Sequence, residues 1–199
     1  MENSEPRPRR ILDDPIAIRA LAHPLRLRLH EIVGRDGPIT AAEAGRQLGI
    51  SHGLASHHLR QLAKYGFVEP APAADGRERP WRVTSTSQTW RGFDAVSGGA
   101  AAGDLLEQVI VERGLANLIA WQRRRDDAPQ GVAKRSGVEH STLYLTPAEI
   151  ERLDADIAAL LEPLVARRRL GDVAARPPDA IPFDVTIVAV PLQPTPSGG

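Results

Sequence analysis

Residues 39–68 read ITAAEAGRQLGISHGLASHHLRQLAKYGFV, a segment typical of two short helices joined by a tight turn. Thr40 has the chemistry of a helix N-cap, and Glu43 follows in the register of a capping box. Gly49 is placed to form the turn, and Ser51 is placed to cap the next helix. The segment therefore predicts a helix-turn-helix, a unit that can place its second helix in the major groove of DNA.

The flanking segments predict two further helices and a wing. Asp14 and Pro15 indicate the start of a first helix, and Pro24 separates it from a second helix that ends near residue 37. After the helix-turn-helix, Gly66 marks a helix end. Two β-prone runs follow, at residues 67–69 and 81–84, on either side of an Asp-Gly turn signal, and they predict a β-hairpin.

Composition limits the class of protein. The chain has 199 residues and 42% hydrophobic content, enough for one ordinary core or two small ones. It has no cysteine, which excludes disulfides and thiolate metal sites. No apolar run approaches the ~20 residues that cross a bilayer, and residues 1–15 lack the apolar core of a signal peptide. We expect a soluble, cytoplasmic protein with no membrane partner.

The charge is distributed unevenly although its formal sum is zero. Residues 1–90 carry 13 Lys and Arg against 10 Asp and Glu, whereas residues 91–199 carry 12 against 15. A mildly basic first half suits DNA binding that depends on a dimer and a few placed arginines rather than on a large basic face.

The second half begins with a segment rich in small residues, 87–103, which predicts a linker. A long helix from Asp104 to about Arg125 should follow. Its apolar arc is wide enough to be covered by this chain on one side and by a second copy on the other, as in a dimerisation helix.

A strand-helix-strand unit is expected after that helix. Residues 141–145 and 183–190 alternate or run apolar in the manner of strands. Thr146, Pro147 and Glu149 should begin a helix that extends to about Arg169, with an apolar stripe that includes Ile150 and Leu164. We expect that stripe to pack on the two strands.

These elements give an α+β, mainly helical fold class, with a winged helix-turn-helix domain, a long dimerisation helix and a small strand-helix-strand extension. The predicted divisions are a disordered tail at 1–13, the DNA-binding domain at 14–86, the linker at 87–103, a dimerisation and possible effector region at 104–190, and a disordered tail at 191–199.

With these elements placed, the chain resembles the ArsR-type winged helix-turn-helix repressors over roughly residues 14–86. The family's HPxR motif matches His23-Pro24-Leu25-Arg26. The second part of the motif matches Ser51, Ser56, His58, Leu59, Leu62, Gly66, Phe67 and Val68. The region from residue 104 onward resembles extended actinobacterial relatives.

The resemblance implies a homodimeric repressor that binds a pseudo-palindromic operator in double-stranded DNA and is released by a signal. Metal-sensing members carry Cys pairs in the third helix or Asp and His ligands in the terminal dimer helix. Here residues 41–45 contain no Cys, and the helix from Asp104 contains no His. We therefore expect no metal and no cofactor, and the effector is not identified by the sequence.

The fourth helix and the wing supply the candidate DNA contacts. We expect Leu54, Leu59 and Leu62 to form the core face of that helix, and His58 to be a structural histidine that points partly inward. A metal site of His52, His57 and His58 fits one helix face poorly. The candidate DNA-binding residues are Ser51, His52, Gly53, Ser56, His57, Arg60, Lys64, Arg77 and Arg79.

Other roles for nearby residues stay open at this point. Ser51 can cap its helix and also touch a phosphate. Arg82 can contact DNA or remain on its strand, and Arg26 and Arg28 can pair with Glu31 or reach a phosphate. Trp81 is expected to pack the wing onto the helices.

The sequence lacks a supported motif of the common enzyme classes. It contains no Walker phosphate loop, GxGxxG or HExxH. Residues 49–53, GISHG, match GxSxG in spacing alone, because the serine follows a predicted helix and not the strand that a nucleophile elbow requires. We therefore expect no catalysis. The alternative to a DNA-binding regulator is a winged-helix protein-interaction module that does not bind specific DNA.

Overall fold

A computed structural model describes residues 10–72, 79–85, 88–89, 98–166 and 176–192. Within these ranges the fold is mainly helical, as predicted. The helices are α1 (Pro15–Leu21), α2 (Pro24–Asp36), α3 (Ala41–Leu48), α4 (His52–Lys64), α5 (Gly99–Gln122), α6 (Gln130–Ala133) and α7 (Pro147–Ala166), with a 3-10 turn at Arg125–Asp127. The strands are β1 (Arg10–Ile11), β2 (Val68–Pro70), β3 (Trp81–Val83) and β4 (Gln88–Thr89).

The predicted helix starts are confirmed by their hydrogen bonds. The Asp14 carboxylate accepts from the backbone N–H of Ile16 at 2.8 Å. Thr40 and Glu43 form a reciprocal capping box, because Thr40 Oγ1 accepts from the Glu43 N–H and Glu43 Oε2 accepts from the Thr40 N–H. Such caps satisfy donors that a helix cannot pair internally. Gly49 adopts the left-handed conformation, with φ of 66°, and makes the turn into α4.

The main core lies between α1, α2, α3, α4 and the start of β2. Its largest fully buried side chains are Phe67, Leu12, Ile18, Leu29, Leu59, Leu62, Leu106, Val33 and Val68. The first turns of α5 complete this core, because Ala102, Leu106 and Val109 are buried and α5 packs against α1. This core fixes the position of α4.

The wing is an antiparallel pair of β2 and β3 in which Val68 lies opposite Val83. Trp81 and Ile39 exchange two backbone hydrogen bonds, of 2.8 and 3.1 Å, which attach the wing to the loop before α3. Trp81 also packs against the core, as predicted. The Asp75-Gly76 turn lies outside the described residues.

The prediction of a loose segment up to residue 13 is wrong for its last residues. β1 pairs in parallel with β4, and Leu12 is 1% exposed. The Arg10 guanidinium donates to the carbonyls of Tyr65 and Gly66, at 2.8 and 2.7 Å, and lies over the Phe67 ring. These contacts fix the segment because they supply donors to carbonyls at the end of α4 and bury an apolar side chain.

The predicted linker is shorter than expected at its C-terminal end. α5 begins at Gly99 rather than at Asp104. Ala100, Ala101 and Ala102 favour helix, and the burial of Ala102 adds a tertiary contact that composition did not indicate. Because of this contact, the small residues that looked like linker form the first turn of α5.

The two strands predicted in the C-terminal half are absent from the described residues as strands. Residues 141–145 and 183–190 form no ladder and are exposed. α7 begins as predicted, with Thr146 and Glu149 in a capping box. Ile150 and Leu164 of its apolar stripe are exposed, so the predicted packing of that stripe on the strands is wrong. A strand needs a neighbour for its backbone groups, and neither segment has one in the described chain.

Among the described residues, no helix combines the length and apolar content needed to cross a membrane.

Candidate nucleic-acid interface

The helix-turn-helix holds α4 firmly against α3. Ser51 Oγ accepts from the Leu54 N–H at 3.2 Å and caps α4 as predicted. A Cβ built on Gly45 would lie 3.0 Å from the Ile50 carbonyl oxygen and 3.6 Å from the Ala55 Cβ. The absence of a side chain at Gly45 therefore allows α3 and the turn to approach closely. The start of α4 is rigidly placed by these contacts.

The outward face of α4 carries a row of exposed residues. Gly53, His57, Arg60 and Lys64 follow one another at spacings of four, three and four residues, which puts them on one side of a helix. All four are exposed. α4 contains no Asp or Glu, so this row carries only neutral or positive groups. We call these four residues the α4 outer row.

The two ends of the α4 outer row expose different chemical groups. At its start, no atom lies within 4 Å of a Cβ built on Gly53, so the backbone there is open to close approach. Further along, Arg60 Nε donates to the Ser56 carbonyl at 3.2 Å. The Lys64 ammonium lies 5.4 Å from the centre of the Tyr65 ring. The start of the row is therefore suited to base edges in a groove and its end to phosphates.

The remaining predicted contacts of this region lie beside the row. Ser51 and His52 are exposed at the start of α4, whereas Ser56 is only half-exposed. In the wing, Arg79 is exposed and Arg77 lies outside the described residues. Arg82 is paired with Glu69 across the strands at 2.9 Å, which favours its structural role.

The structure also shows the surroundings of Arg26, Arg28 and Glu31 on α2. Arg26 Nη2 donates to the Arg19 carbonyl at 3.3 Å, and Arg28 is exposed. Glu31 forms an ion pair with Arg113 of α5 rather than with either α2 arginine. The pairing of Glu31 that was open from the sequence therefore joins α2 to α5.

His58 points inward, as predicted, and packs between two other histidines. Its ring centre lies 4.9 Å from that of His23 and 5.2 Å from that of His57. Burial lowers the pKa of His58, and the neighbouring charges of His23, His57 and Arg26 lower it further. The pKa of His23 is lowered as well, first by burial and then by Arg26. His23 Nδ1 accepts from the Leu25 N–H and caps α2. Burial therefore favours the neutral forms of His23 and His58, which pack together at the base of α4.

Leu54 was predicted to face the core, and this is wrong. The residue is 42% exposed, whereas Ala55, Leu59 and Leu62 are fully buried. The inward stripe runs through 55, 58, 59 and 62, at the i, i+3, i+4, i+7 spacing of one helix face. That spacing was available in the sequence and places Leu54 on the flank of the stripe. An apolar side chain beside the outer row is suited to contact with a thymine methyl group.

No group of three or more His, Asp or Glu side chains that could hold a metal ion occurs in the described parts of the chain.

One comparison with known proteins identifies the class of the first domain. A family model described as a helix-turn-helix domain matches residues 21–71. A crystal structure of the transcriptional regulator SlyA is 13% identical, covering 72% of this chain and 76% of that chain with a TM-score of 0.31. A crystal structure of wild-type MarR in the apo form from E. coli is 17% identical, covering 75% of this chain and 88% of that chain with a TM-score of 0.30. No curated protein matches the chain.

Proposed function

We propose that this chain is a sequence-specific DNA-binding transcriptional regulator in which α4 is the recognition helix. The α4 outer row enters the major groove, with Leu54 at its side, and the β2–β3 wing lies on the backbone or in the minor groove. Ser51, His52, Ser56 and Arg79 add contacts at the edges of this surface, and Arg77 adds one from the wing.

The α4 outer row is the observation that carries this proposal. A solvent-exposed helix face usually mixes both signs of charge, whereas α4 has two permanent cations and no acid. Its first turn combines an open glycine backbone with polar side chains that can donate or accept at base edges. The matched helix-turn-helix domain contains the whole row.

The finer parts of the proposal follow from the ArsR-type resemblance. The regulator is a homodimeric repressor in the cytoplasm, it binds a pseudo-palindromic operator, and it has no catalytic activity. Two recognition helices would then read half-sites about one DNA turn apart, ~34 Å. A signal that changes this spacing would release the operator.

The test is a mobility-shift titration of the full chain on the DNA upstream of its own gene. We expect specific retardation that competitor DNA of scrambled sequence does not remove, and a fall in affinity as salt rises. The double variant His57→Ala with Arg60→Ala should bind at least roughly 30-fold more weakly, since each of the two lost base or phosphate contacts costs about 1–3 kcal/mol.

Arg152→Ala is the matched control, because Arg152 is an exposed arginine on α7, outside the helix-turn-helix. It removes a positive charge of the same kind and should leave the affinity unchanged. Equal binding by the double variant and the wild type would refute the docking face. No retardation at micromolar protein would favour the protein-interaction module.

A further inference from the structure

The segment of residues 181–190 is held on α5 through the carboxylate of Asp184. This carboxylate accepts hydrogen bonds from Arg113 Nη2 at 2.8 Å and from Asn117 Nδ2 at 2.9 Å. The two donors are four residues apart, so they lie on the same side of α5. Asp184 is therefore bound by two side chains that converge on one acceptor group, one of them charged.

Gly114 allows the same segment to come close to the backbone of α5. A Cβ built on this glycine would lie 2.9 Å from Thr186 Oγ1 and 3.3 Å from Thr186 Cβ. A side chain at position 114 would therefore require Thr186 to shift. The glycine acts here as glycines do wherever another segment approaches the backbone closely.

The attachment of the segment is weaker than the packing of the core. No backbone hydrogen bond joins residues 181–190 to another part of the chain among the described residues. Phe183 and Val185, on either side of Asp184, are more than half exposed. The Asp184 side chain itself is 36% exposed, and partly exposed ion pairs contribute little net stability. A segment held in this way can leave α5 without unfolding the rest of the chain.

Arg113 joins this attachment to α2 in the helix-turn-helix domain. Its Nη1 forms an ion pair with Glu31 of α2, and its Nη2 donates to Asp184. The Arg113 side chain is 20% exposed, so both pairs lie between elements and not on a free surface. A guanidinium that one carboxylate already holds loses less rotamer freedom when it pairs with a second. Glu31 therefore favours the position of Arg113 in which it binds Asp184.

We propose that residues 181–190 form a releasable strap whose docking on α5 is coupled through Arg113 to α2. The docked strap keeps Arg113 in place and so holds α5 against α2. α2 in turn packs on α4, and the consequence for DNA rests on the proposed function of that helix. Release of the strap loosens the support of α4 and weakens DNA binding, as expected of a two-state element that is coupled to a distant site.

The first measurement reports strap docking and needs no DNA. The chain has no cysteine, so Gly114→Cys with Thr186→Cys introduces a single pair of thiols into the full chain. The Cβ separation of 3.3 Å is close to the roughly 3.5–4.5 Å of disulfides, so a small shift suffices for the bond to form. We expect an intramolecular disulfide in a glutathione redox buffer, identified by mass spectrometry of the linked peptides.

The equilibrium constant of this disulfide measures how much of the chain has a docked strap. Asp184→Ala in the same background should lower it roughly fivefold or more, because two hydrogen bonds are lost. Asp179→Ala is the matched control, since it removes an exposed aspartate a few residues earlier and should leave the constant unchanged. Circular dichroism should show that each variant retains its helices.

The second measurement tests the coupling to α2. Glu31→Ala in the cysteine background should lower the same equilibrium constant roughly twofold or more, although Glu31 has no listed bond to the strap itself. Glu107→Ala is the matched control, because Glu107 is an exposed acid of α5 that lies almost two turns before Arg113. It should have no effect.

The third measurement uses the mobility-shift titration described for the proposed function. Asp184→Ala should bind DNA roughly fivefold or more weakly than the wild type, whereas Asp179→Ala should bind equally well. Oxidation of the cysteine pair in the Asp184→Ala chain should restore the affinity, because the disulfide replaces the lost contacts. Reduction should abolish this rescue.

Two results without DNA would overturn the strap and its coupling. They are a cysteine pair that does not form the disulfide or does not respond to Asp184→Ala, and a disulfide equilibrium that Glu31→Ala leaves unchanged. In a chain that binds DNA, equal affinities of Asp184→Ala and the wild type would overturn the effect on DNA binding. A chain that retards no DNA would refute the regulator, and the disulfide measurements would then decide the strap independently.

Discussion

The two halves of the molecule differ in how far they bury their apolar side chains. Of the large hydrophobic residues exposed in the described chain, only Ile11, Ile16 and Leu54 lie before residue 86. From residue 105 onward there are eighteen, although both halves have clear helix signals. The first half closes its core with its own elements and the first turns of α5, whereas the rest of the second half presents surfaces that the described elements do not cover. A helix can therefore form locally in either half, but only the first half supplies the tertiary contacts that bury its apolar face.

The largest expected difference between the halves concerns two phenylalanines. Phe67 is fully buried and Phe183 is 59% exposed. Phe67→Ala should lower the free energy of unfolding by about 3–5 kcal/mol at every protein concentration, because it leaves a cavity in the core. Phe183→Ala should lower it far less, because Phe183 is already more than half exposed and its removal leaves no cavity. Urea titrations followed by circular dichroism at low and high protein concentration measure both.

Equal losses for the two variants at low concentration would contradict the contrast between a closed and an open half. If the loss of stability in Phe67→Ala varied with protein concentration, this contrast would also be contradicted, because the cavity lies in a core that one chain closes. Tyr144→Ala offers a control in the second half, since Tyr144 is fully exposed.

A smaller difference is expected between the two capping boxes. Thr40 caps α3, which buries Ala41 and Ala44, whereas Thr146 caps α7, whose stripe is exposed. Thr40→Ala should lower the free energy of global unfolding by about 1 kcal/mol. Thr146→Ala should instead fray the start of α7 without changing the global transition of the first half. Amide hydrogen exchange, read residue by residue, distinguishes local fraying from global unfolding.

Thr40→Ser and Thr146→Ser are the conservative controls, because serine keeps the capping oxygen. If Thr146→Ala destabilised the whole chain as much as Thr40→Ala, α7 would belong to the same cooperative unit as the core.

The smallest expected effect is the change in the free energy of unfolding with pH. The pKa of His58 is lowered in the folded chain, chiefly by burial. Below its ordinary pKa of 6.5, the unfolded chain therefore binds protons that the folded chain does not, and the free energy of unfolding falls as the pH drops. This loss begins near pH 6.5 and continues down to the folded pKa. His58→Gln should make the decline between pH 7.5 and pH 5.5 shallower in denaturant titrations.

His140→Gln is the control, because His140 is an exposed histidine of the second half. Comparison of the two variants separates the effect of the cluster from the loss of a histidine as such. If His58→Gln kept the wild-type slope, the histidine cluster would not be the cause of the decline in stability at low pH.

Local signals in the sequence were sufficient for the helix-turn-helix. The caps at Asp14, Thr40 and Ser51 and the turn at Gly49 depend on neighbours within four residues, so their positions could be read directly. The outward position of the α4 outer row followed from the same periodicity. The prediction for Leu54 is wrong because this residue lies beside the stripe of Ala55, Leu59 and Leu62 that the same periodicity defines, and not on it.

The features that the sequence did not predict depend on contacts between residues that are far apart in the chain. Nothing in the first thirteen residues indicates that Arg10 reaches carbonyls more than fifty positions away. The two predicted strands failed for a related reason: alternation predicts which side chains share a face, but the ladder depends on a neighbouring strand.

The guanidinium of Arg10 links the beginning of the chain to the end of the helix proposed to read DNA. Shortening the protein past this arginine, or fusing a purification tag directly before it, would disturb the carbonyls at the last turn of α4. A loss of binding in such a preparation would then be an artefact of protein engineering. A spacer ahead of residue 10 avoids the problem without changing any residue of the surface under study.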